Sequence, residues 1–298
     1  MVEEFEYIGK AMGTDYSISV ICRDEELANK IYKIAKNQIE EYENIFSRFL
    51  PASELSLLNK NKKMIVSTTF LEITQKAYSL FVKTRGIFNP LVSVERFGYD
   101  REFLKLNKNI DDSLYDIDFS SVIIDEEKSM ITLGEGQKLD YGGFLKGYLA
   151  DLISKKIIKD YPEVSGIIIN IGGDIHTEGL DSDGNRFIFS IYNPISKKED
   201  IKIELFNQSL ATSGIYKRTW FRNNKRVHHI LDSSGNKNPE TDIVSVSVRH
   251  EDGAFTEAYT KVFLSMDDGM ALKLLDDKNI SFIIIKNNGQ IIKSADLK

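Results

Sequence analysis

Hydrophobic positions along the chain switch between two periods, and the switches mark its elements. Tyr16-Ser17-Ile18-Ser19-Val20-Ile21-Cys22 reads as a half-buried strand. From about residue 25 to residue 49 the apolar positions Leu27, Ile31, Ile34, Ile39, Tyr42, Ile45 and Phe46 recur at helical spacing. Ser67-Thr68 is an N-cap signal for a second helix carrying Phe70, Ile73, Ala77 and Phe81 and stopping at Gly86. Residues 122–124 and 130–133 read as strands paired across the polar turn Asp125-Glu126-Glu127-Lys128, and a third helix covers residues 144–160. Gly166-Ile167-Ile168-Ile169-Asn170-Ile171 is a continuous apolar run of the kind buried on both faces. Strands are then expected around 187–192, 201–205, 218–221, 227–231 and 244–248. Asn223-Asn224 and Asn287-Asn288-Gly289 read as hairpin turns, and residues 256–265 and 269–277 as short helices.

Runs of strands with unevenly placed helices predict an α+β fold rather than a regular βαβ winding. No repeat, low-complexity tract or Pro/Gly-rich linker divides the 298 residues, so a single domain is expected, with any two lobes interleaved.

Composition narrows the function. A net charge of −6 without a Lys/Arg-rich stretch argues against a nucleic-acid partner. The one cysteine, Cys22, excludes an internal disulfide and is expected to be a buried strand thiol. His176, His228, His229 and His250 include no pair at the i, i+4 spacing of a helical zinc site. MVEEFEYIGK has no apolar signal core, and no later window approaches a membrane span. The expectation is a soluble, cytoplasmic chain, with an anchored extracytoplasmic form as the alternative if a leader precedes these residues.

Four segments put glycine, hydroxyl and charged residues where predicted elements end. Leu139-Asp140-Tyr141-Gly142-Gly143-Phe144-Leu145-Lys146-Gly147-Tyr148 leads into a helix, whose N-terminal N–H groups and Lys146 suit a phosphate; the bland alternative is an ordinary turn. Asn170-Ile171-Gly172-Gly173-Asp174 follows a buried strand, where a ligand seat and a tight turn are both open readings. Leu210-Ala211-Thr212-Ser213-Gly214 offers hydroxyls to a phosphate or to its own turn. His228-His229-Ile230-Leu231-Asp232 places two histidines on opposite sides of the expected strand, so only one can face a given cleft and act as a base. Asp181-Ser182-Asp183-Gly184-Asn185 lacks the EF-hand order and reads as a hairpin turn, and no Gly-x-Ser-x-Gly elbow occurs.

Taken in order, these segments resemble the FAD:protein FMN transferase (ApbE) family over almost the whole chain. The resemblance is carried by Ala11-Met12-Gly13-Thr14; Phe46-Ser47-Arg48-Phe49 with Ser53-Glu54-Leu55 and Leu58-Asn59; and Phe88-Asn89-Pro90-Leu91-Val92. It continues through Leu139-Asp140-Tyr141-Gly142-Gly143 with Lys146-Gly147-Tyr148 and Asp151, Asn170-Ile171-Gly172-Gly173-Asp174, and Ala211-Thr212-Ser213-Gly214. His229-Ile230-Leu231-Asp232 with Gly235 and Pro239, and Ser245-Val246-Ser247-Val248, complete it.

The resemblance implies antiparallel sheets packed with helices in two interleaved lobes, with FAD in the cleft between them. It implies transfer of FMN from FAD to a Thr or Ser hydroxyl of an acceptor flavoprotein, with release of AMP. His229 matches the position of the proposed base. FAD contacts are implied at Met12, Ser47, Arg48, Asp140, Gly142, Gly143, Lys146, Asp151, Gly172, Gly173, Thr212, Ser213 and Gly214.

The resemblance also implies magnesium, held by an Asp-x-x-x-Thr helix and a carbonyl of the glycine-rich loop, here at Gly143. Aligning Phe263-Leu264 with the family's hydrophobic pair puts Glu257 at the Asp position and Lys261 at the Thr position. An ammonium donates only and cannot ligate a cation. The two residues are also spaced to pair on one helical turn. Metal-independent transfer, flavin binding without transfer, and hydrolysis of FAD to FMN and AMP are therefore open alternatives. Glu95-Arg96-Phe97-Gly98 and Ser233 are lesser departures. Asp252-Gly253-Ala254-Phe255-Thr256 approaches the acceptor motif but carries an extra Phe, and reads as a loop entering a helix.

Overall fold

The computed structural model describes residues 1–92, 94, 116–222, 225–235, 237–265 and 280–297. Its strands and helices are, in order, β1 (Glu3–Ala11), β2 (Thr14–Cys22), α1 (Glu25–Phe46), α2 (Glu54–Asn61), β3 (Lys63–Ile65), α3 (Thr68–Lys83), β4 (Ile123–Asp125), β5 (Met130–Thr132) and α4 (Leu145–Asp160). They continue with β6 (Gly166–Ile171), β7 (Asp174–Gly179), β8 (Phe187–Asn193), β9 (Lys198–Leu205), β10 (Gln208–Gly214), β11 (Thr219–Arg222), β12 (Lys225–His228), β13 (Ile243–His250), α5 (Gly253–Ser265), β14 (Ser281–Lys286) and β15 (Ile291–Lys293).

Eight strands form one sheet in the order β1-β2-β6-β7-β10-β13-β14-β15, and all of its pairings are antiparallel. β3-β5-β4 forms a small second sheet, and β8-β9 and β11-β12 are two-stranded ribbons. The fold is α+β, as the element pattern implies. One continuous apolar core joins α1, α3, α4, α5, the small sheet and the large sheet, from Ala11 to Ile284.

Local sequence explains the helices that set up the site. Asp24 caps α1 through its side chain, which accepts from Glu26 N, and Ala28, Ile31, Ala35, Ile39, Tyr42 and Phe46 make its buried stripe. Ser67 caps α3 at Phe70 N, 3.1 Å, where Ser67-Thr68 predicts it. In α5 every residue from Gly253 to Leu264 except Lys261 is buried, so this is a core helix wedged between sheet and α4. It starts three residues earlier than its pattern suggests. Asp252 caps it by accepting from Phe255 N at 3.1 Å, and Asp151 Oδ2 accepts from Gly253 N at 3.0 Å.

α4 and α5 meet at a glycine pair. A Cβ on Gly147 would lie 2.3 Å from Gly253 O, and one on Gly253 would lie 2.1 Å from Gly147 O. No other residue permits that approach. As expected, Cys22 is a buried thiol at the end of β2. Asp181 closes a turn by accepting from Asp183 N and Asn185 N, but this is not the expected hairpin, because β7 pairs with β6 and β10 while β8 pairs with β9. The expected helix at 269–277, the turn at Asn223-Asn224 and the Glu95-Arg96-Phe97-Gly98 segment lie outside the described residues. No helix among the described residues is long and apolar enough to cross a membrane.

Candidate active site

Chain segments far apart in sequence converge on a half-open cavity of about 230 Å³. Its walls are Met12 and Gly13 of the β1–β2 turn, Glu43 and Phe46 of α1 with Ser47, Arg48 and Phe49 beyond it, and Ile87, Phe88, Asn89, Val92 and Val94 after α3. Asp140, Gly142, Gly143, Leu145 and Lys146 at the start of α4, Arg218, residues 229–232, and Lys261 and Ser265 of α5 complete it.

Each wall is pinned from behind. Met12 and Gly13 both have positive φ, 53° and 69°, in a two-residue hairpin loop, and Met12 N donates to Glu43 Oε1 at 2.6 Å. Asn59 clamps the loop before α4 through both main-chain groups of Leu139, at 2.9 and 2.7 Å. Asp140 N donates to Pro90 O at 2.8 Å. Asp140 accepts from Gly142 N at 2.9 Å and faces Arg48 Nε at 3.6 Å. Gly143 lies against the Phe88 ring, where a Cβ would approach to 3.0 Å. Beneath this loop, Phe88, Phe144, Tyr141, Phe46 and Phe70 contact one another ring to ring.

Below the loop lies a charge cluster. Lys146 Nζ is 2.8 Å from Asp174 Oδ2 and also bonds Glu257 Oε1. Lys261 Nζ approaches the same Glu257 oxygen at 3.1 Å, and Gly147 N donates to Glu257 Oε2 at 3.0 Å. The glycine contact between the helices brings that carboxylate to the N-terminus of α4, where it is also favoured by the helix dipole. Burial opposes the Glu257 charge, but Lys146, Lys261 and the Gly147 N–H hold its pKa down to about 2. Burial, with the neighbouring Glu257, pushes the Asp174 carboxyl up to about 6 against the pull of the lysines. Burial would lower the Lys146 pKa, yet Asp174 and Glu257 raise it above the usual ammonium value. For Lys261 burial wins over the same carboxylates and the direction is downward.

The fourth element is His229. β12 ends at His228, not at Leu231 as the apolar pattern suggests, because Asn238 Nδ2 takes the carbonyls of His228 and Ile230 at 2.7 and 2.6 Å in place of a strand partner. The two histidines are therefore separated by a bend and not by strand alternation. His228 Nδ1 lies 3.2 Å from Asn238, whereas His229 lines the cavity and its buried Nδ1 has no hydrogen-bond partner among the described residues. Burial first, then the charges of Arg218 and Lys261, push the His229 pKa down to about 3. At neutral pH it is a neutral imidazole beside a cationic wall, with one buried ring nitrogen left unpartnered among the described residues.

The model of the ApbE family matches residues 12–284. The chain belongs to the ApbE family. It is 26% identical to the FAD:protein FMN transferase of Klebsiella pneumoniae (strain 342), covering 98% of this chain and 92% of that one. It is 21% identical to the FAD:protein FMN transferase of Salmonella typhimurium, covering 96% and 85%. Two solved structures share the fold. They are the ApbE protein of Thermotoga maritima, with TM-score 0.86, 21% identity and coverage of 99% and 98%, and the flavin transferase ApbE of Vibrio cholerae, with TM-score 0.78, 20% identity and coverage of 100% and 99%.

Not every residue singled out by resemblance to the ApbE family reaches the cavity. Met12, Ser47, Arg48, Asp140, Gly142, Gly143, Lys146, His229 and Lys261 do. Asp151 instead caps α5 and pairs with Lys155 at 2.7 Å. Gly172 and Gly173 form the β6–β7 turn with φ of 65° and 98°, and Gly173 N donates to Asn170 Oδ1 at 2.9 Å. Thr212, Ser213 and Gly214 lie inside β10, paired with β13. Their hydroxyls are engaged, Thr212 with Ser247 at 2.8 Å and Ser213 with Thr260 of α5 at 2.6 Å. Glu43 and Arg218 line the cavity as well, and Asp174, the last residue of the Asn170-Ile171-Gly172-Gly173-Asp174 segment, stands behind it against Lys146. Asp174 stands directly after a glycine pair, which is a readable signal; Glu43 and Arg218 carry none.

The residues do not fit a divalent cation at Glu257. Both its oxygens already accept, from two ammoniums and a backbone N–H. Lys261, on the adjoining turn, offers donors only. Among the described residues no group of three or more His, Cys, Asp or Glu is placed to hold a metal ion. Thr256, in the segment near the acceptor motif, is buried in α5 with its hydroxyl donating to Asp252 O at 2.6 Å.

Proposed function

We propose that this chain is an FAD:protein FMN transferase acting on a Thr or Ser hydroxyl of an acceptor flavoprotein. The observation that carries the proposal is His229, lining the same cavity as Lys146, Lys261 and Arg218 and keeping a buried Nδ1 without a hydrogen-bond partner among the described residues. FAD supplies an activated phosphoric anhydride whose cleavage drives the transfer.

The protein's contribution is position and charge. Lys146 and Lys261 face the pyrophosphate, and Arg48 and Arg218 stand on flanking walls. Met12, Phe88, Ile230 and Leu231 supply apolar surface of the kind a flavin ring requires. A cavity of about 230 Å³ is smaller than a dinucleotide needs, so part of the FAD would extend past the mouth.

The acceptor hydroxyl oxygen bonds to the phosphorus on the FMN side while the bond to the bridging oxygen breaks and AMP leaves. His229 takes the hydroxyl proton and returns it to the leaving phosphate or to water. Burial does most to lower the His229 pKa; the two negative charges of the pyrophosphate act against the smaller contributions of Arg218 and Lys261.

Incubating the chain with FAD and an acceptor flavoprotein should leave flavin fluorescence on the denatured acceptor band, with one AMP released per label. An unlabelled acceptor despite bound FAD, or AMP and free FMN released without any acceptor, would replace this reading with flavin binding or FAD hydrolysis.

A further inference from the structure

The two lysines on the cationic side of the cavity are balanced by carboxylates before any ligand arrives. Asp174 and Glu257 stand against Lys146 and Lys261. Glu257 has a side-chain exposure of 1%, yet both ammoniums reach the cavity, with side chains 15% and 21% exposed. An ammonium has three donors. Among the described residues Lys261 spends one on Glu257, which leaves donors for an arriving anion. A dipositive ion placed here would meet two ammoniums and find no unshared Glu257 oxygen.

We propose that Lys261, seated on Glu257, is the resident cation for the FAD pyrophosphate, so that this chain binds FAD and transfers FMN without a divalent metal. The inference rests on the flavin-transfer reading above and deepens it. Glu257 has the role of a seat: it fixes the Lys261 ammonium at the cavity wall and, through Gly147 N, fixes that ammonium relative to α4. Lys146 is seated the same way between Glu257 and Asp174. Lys146 also reaches Gly142 O at 3.5 Å, so its three donors are engaged, and it is Lys261 on the same cavity that keeps N–H groups for a ligand.

FAD titration into the full chain, followed by flavin fluorescence in EDTA and again in millimolar magnesium chloride, tests this. Affinity should agree within about twofold between the two conditions. Lys261→Met should weaken binding in EDTA by about tenfold or more, the loss of a charge-assisted contact. Lys261→Arg, which keeps the charge and the seat, should stay within about threefold. Magnesium tightening wild-type binding by about tenfold or more, or Lys261→Met binding as well as the wild type, overturns the proposal.

The transfer assay separates the two levels of inference. Label formed in EDTA supports both. Label formed only with magnesium overturns the metal-free proposal and leaves the transferase reading standing. Absence of label in either condition removes the transferase reading, and the binding comparison then decides the role of Lys261 by itself.

Discussion

Two histidines of this chain invite opposite first impressions. His176 on β7 has Nδ1 2.6 Å from Ser209 Oγ and Nε2 2.9 Å from Glu178 Oε1, a hydroxyl, an imidazole and a carboxylate in line. His229 has no hydrogen-bonded carboxylate among the described residues, and its buried Nδ1 is unpartnered there. Connectivity alone would favour His176 as the working base. But His176 is fully buried, Ser209 is 1% exposed, and neither lines the cavity. A buried polar network with every member satisfied rigidifies a core, here tying β7 to β10. An unsatisfied nitrogen on a cavity wall leaves a hydrogen bond for a ligand to complete. A place on the cavity lining and an unmet partner distinguish the site; resemblance to a catalytic triad does not.

The largest expected effect tests this directly. His229→Ala should slow FMN transfer by about 10²–10⁴-fold, the usual contribution of a general base, with FAD affinity changed only a few-fold. His176→Ala should leave the transfer rate of folded protein unchanged and lower the melting temperature, because Ser209 and Glu178 lose their partner. Reversed results would make His176 the base. Next, Glu257→Leu leaves two ammoniums facing Asp174 alone and should cost about 3–5 kcal/mol in urea unfolding. A loss near zero would mean the charge cluster is loose and solvated.

Third, Gly147→Ala forces a Cβ to within 2.3 Å of Gly253 O and 3.2 Å of Glu257 Cβ. Overpacking of that kind costs about 1–3 kcal/mol, and here it should also weaken FAD binding by moving Glu257 off the start of α4. The smallest effect is in pH. His229 is lowered from 6.5 to about 3, so its contribution to stability is present above 6.5 and is lost as pH falls toward 3. By pH 5 the loss is about 2 kcal/mol. Asp174 works oppositely: raised to about 6, it contributes stability below 3.8 that is lost as pH rises through 6. The His229 share is therefore read as the difference between wild type and His229→Phe, whose thermal denaturation should be the less acid-sensitive. Identical pH profiles would show that the ring is solvated in the folded protein.

Sequence patterning carries far in this chain where burial is one-sided. The stripe of α1, the caps at Asp24 and Ser67, and the run of β6 all sit where periodicity puts them. It carries less far where a side chain replaces a backbone partner. Asn238 ends β12 at His228, and no local pattern around residues 227–231 announces a residue ten positions later. The hydroxyl run of Thr212 and Ser213 has the composition of a phosphate loop and the position of a strand, because Ser247 and Thr260 across the fold take those hydroxyls. Likewise Glu257 and Lys261 are spaced to pair on one turn, and they do, but only the distant Gly147 and Lys146 reveal that the pair is buried and faces a cavity.

The cavity draws on residues from Met12 to Ser265, with contributions from α1, from α4 and from the last described helix. During synthesis, then, the chain emerges as far as Ser265 before the final wall exists. Gly147 has nothing to press against until Gly253 follows it, and the Lys146–Asp174 pair lacks its second carboxylate until Glu257 arrives. No partial product can capture FAD in this geometry, and flavin retention becomes a late checkpoint on assembly. Added early to a refolding mixture, FAD should leave the first compaction unchanged and trap only the finished chain.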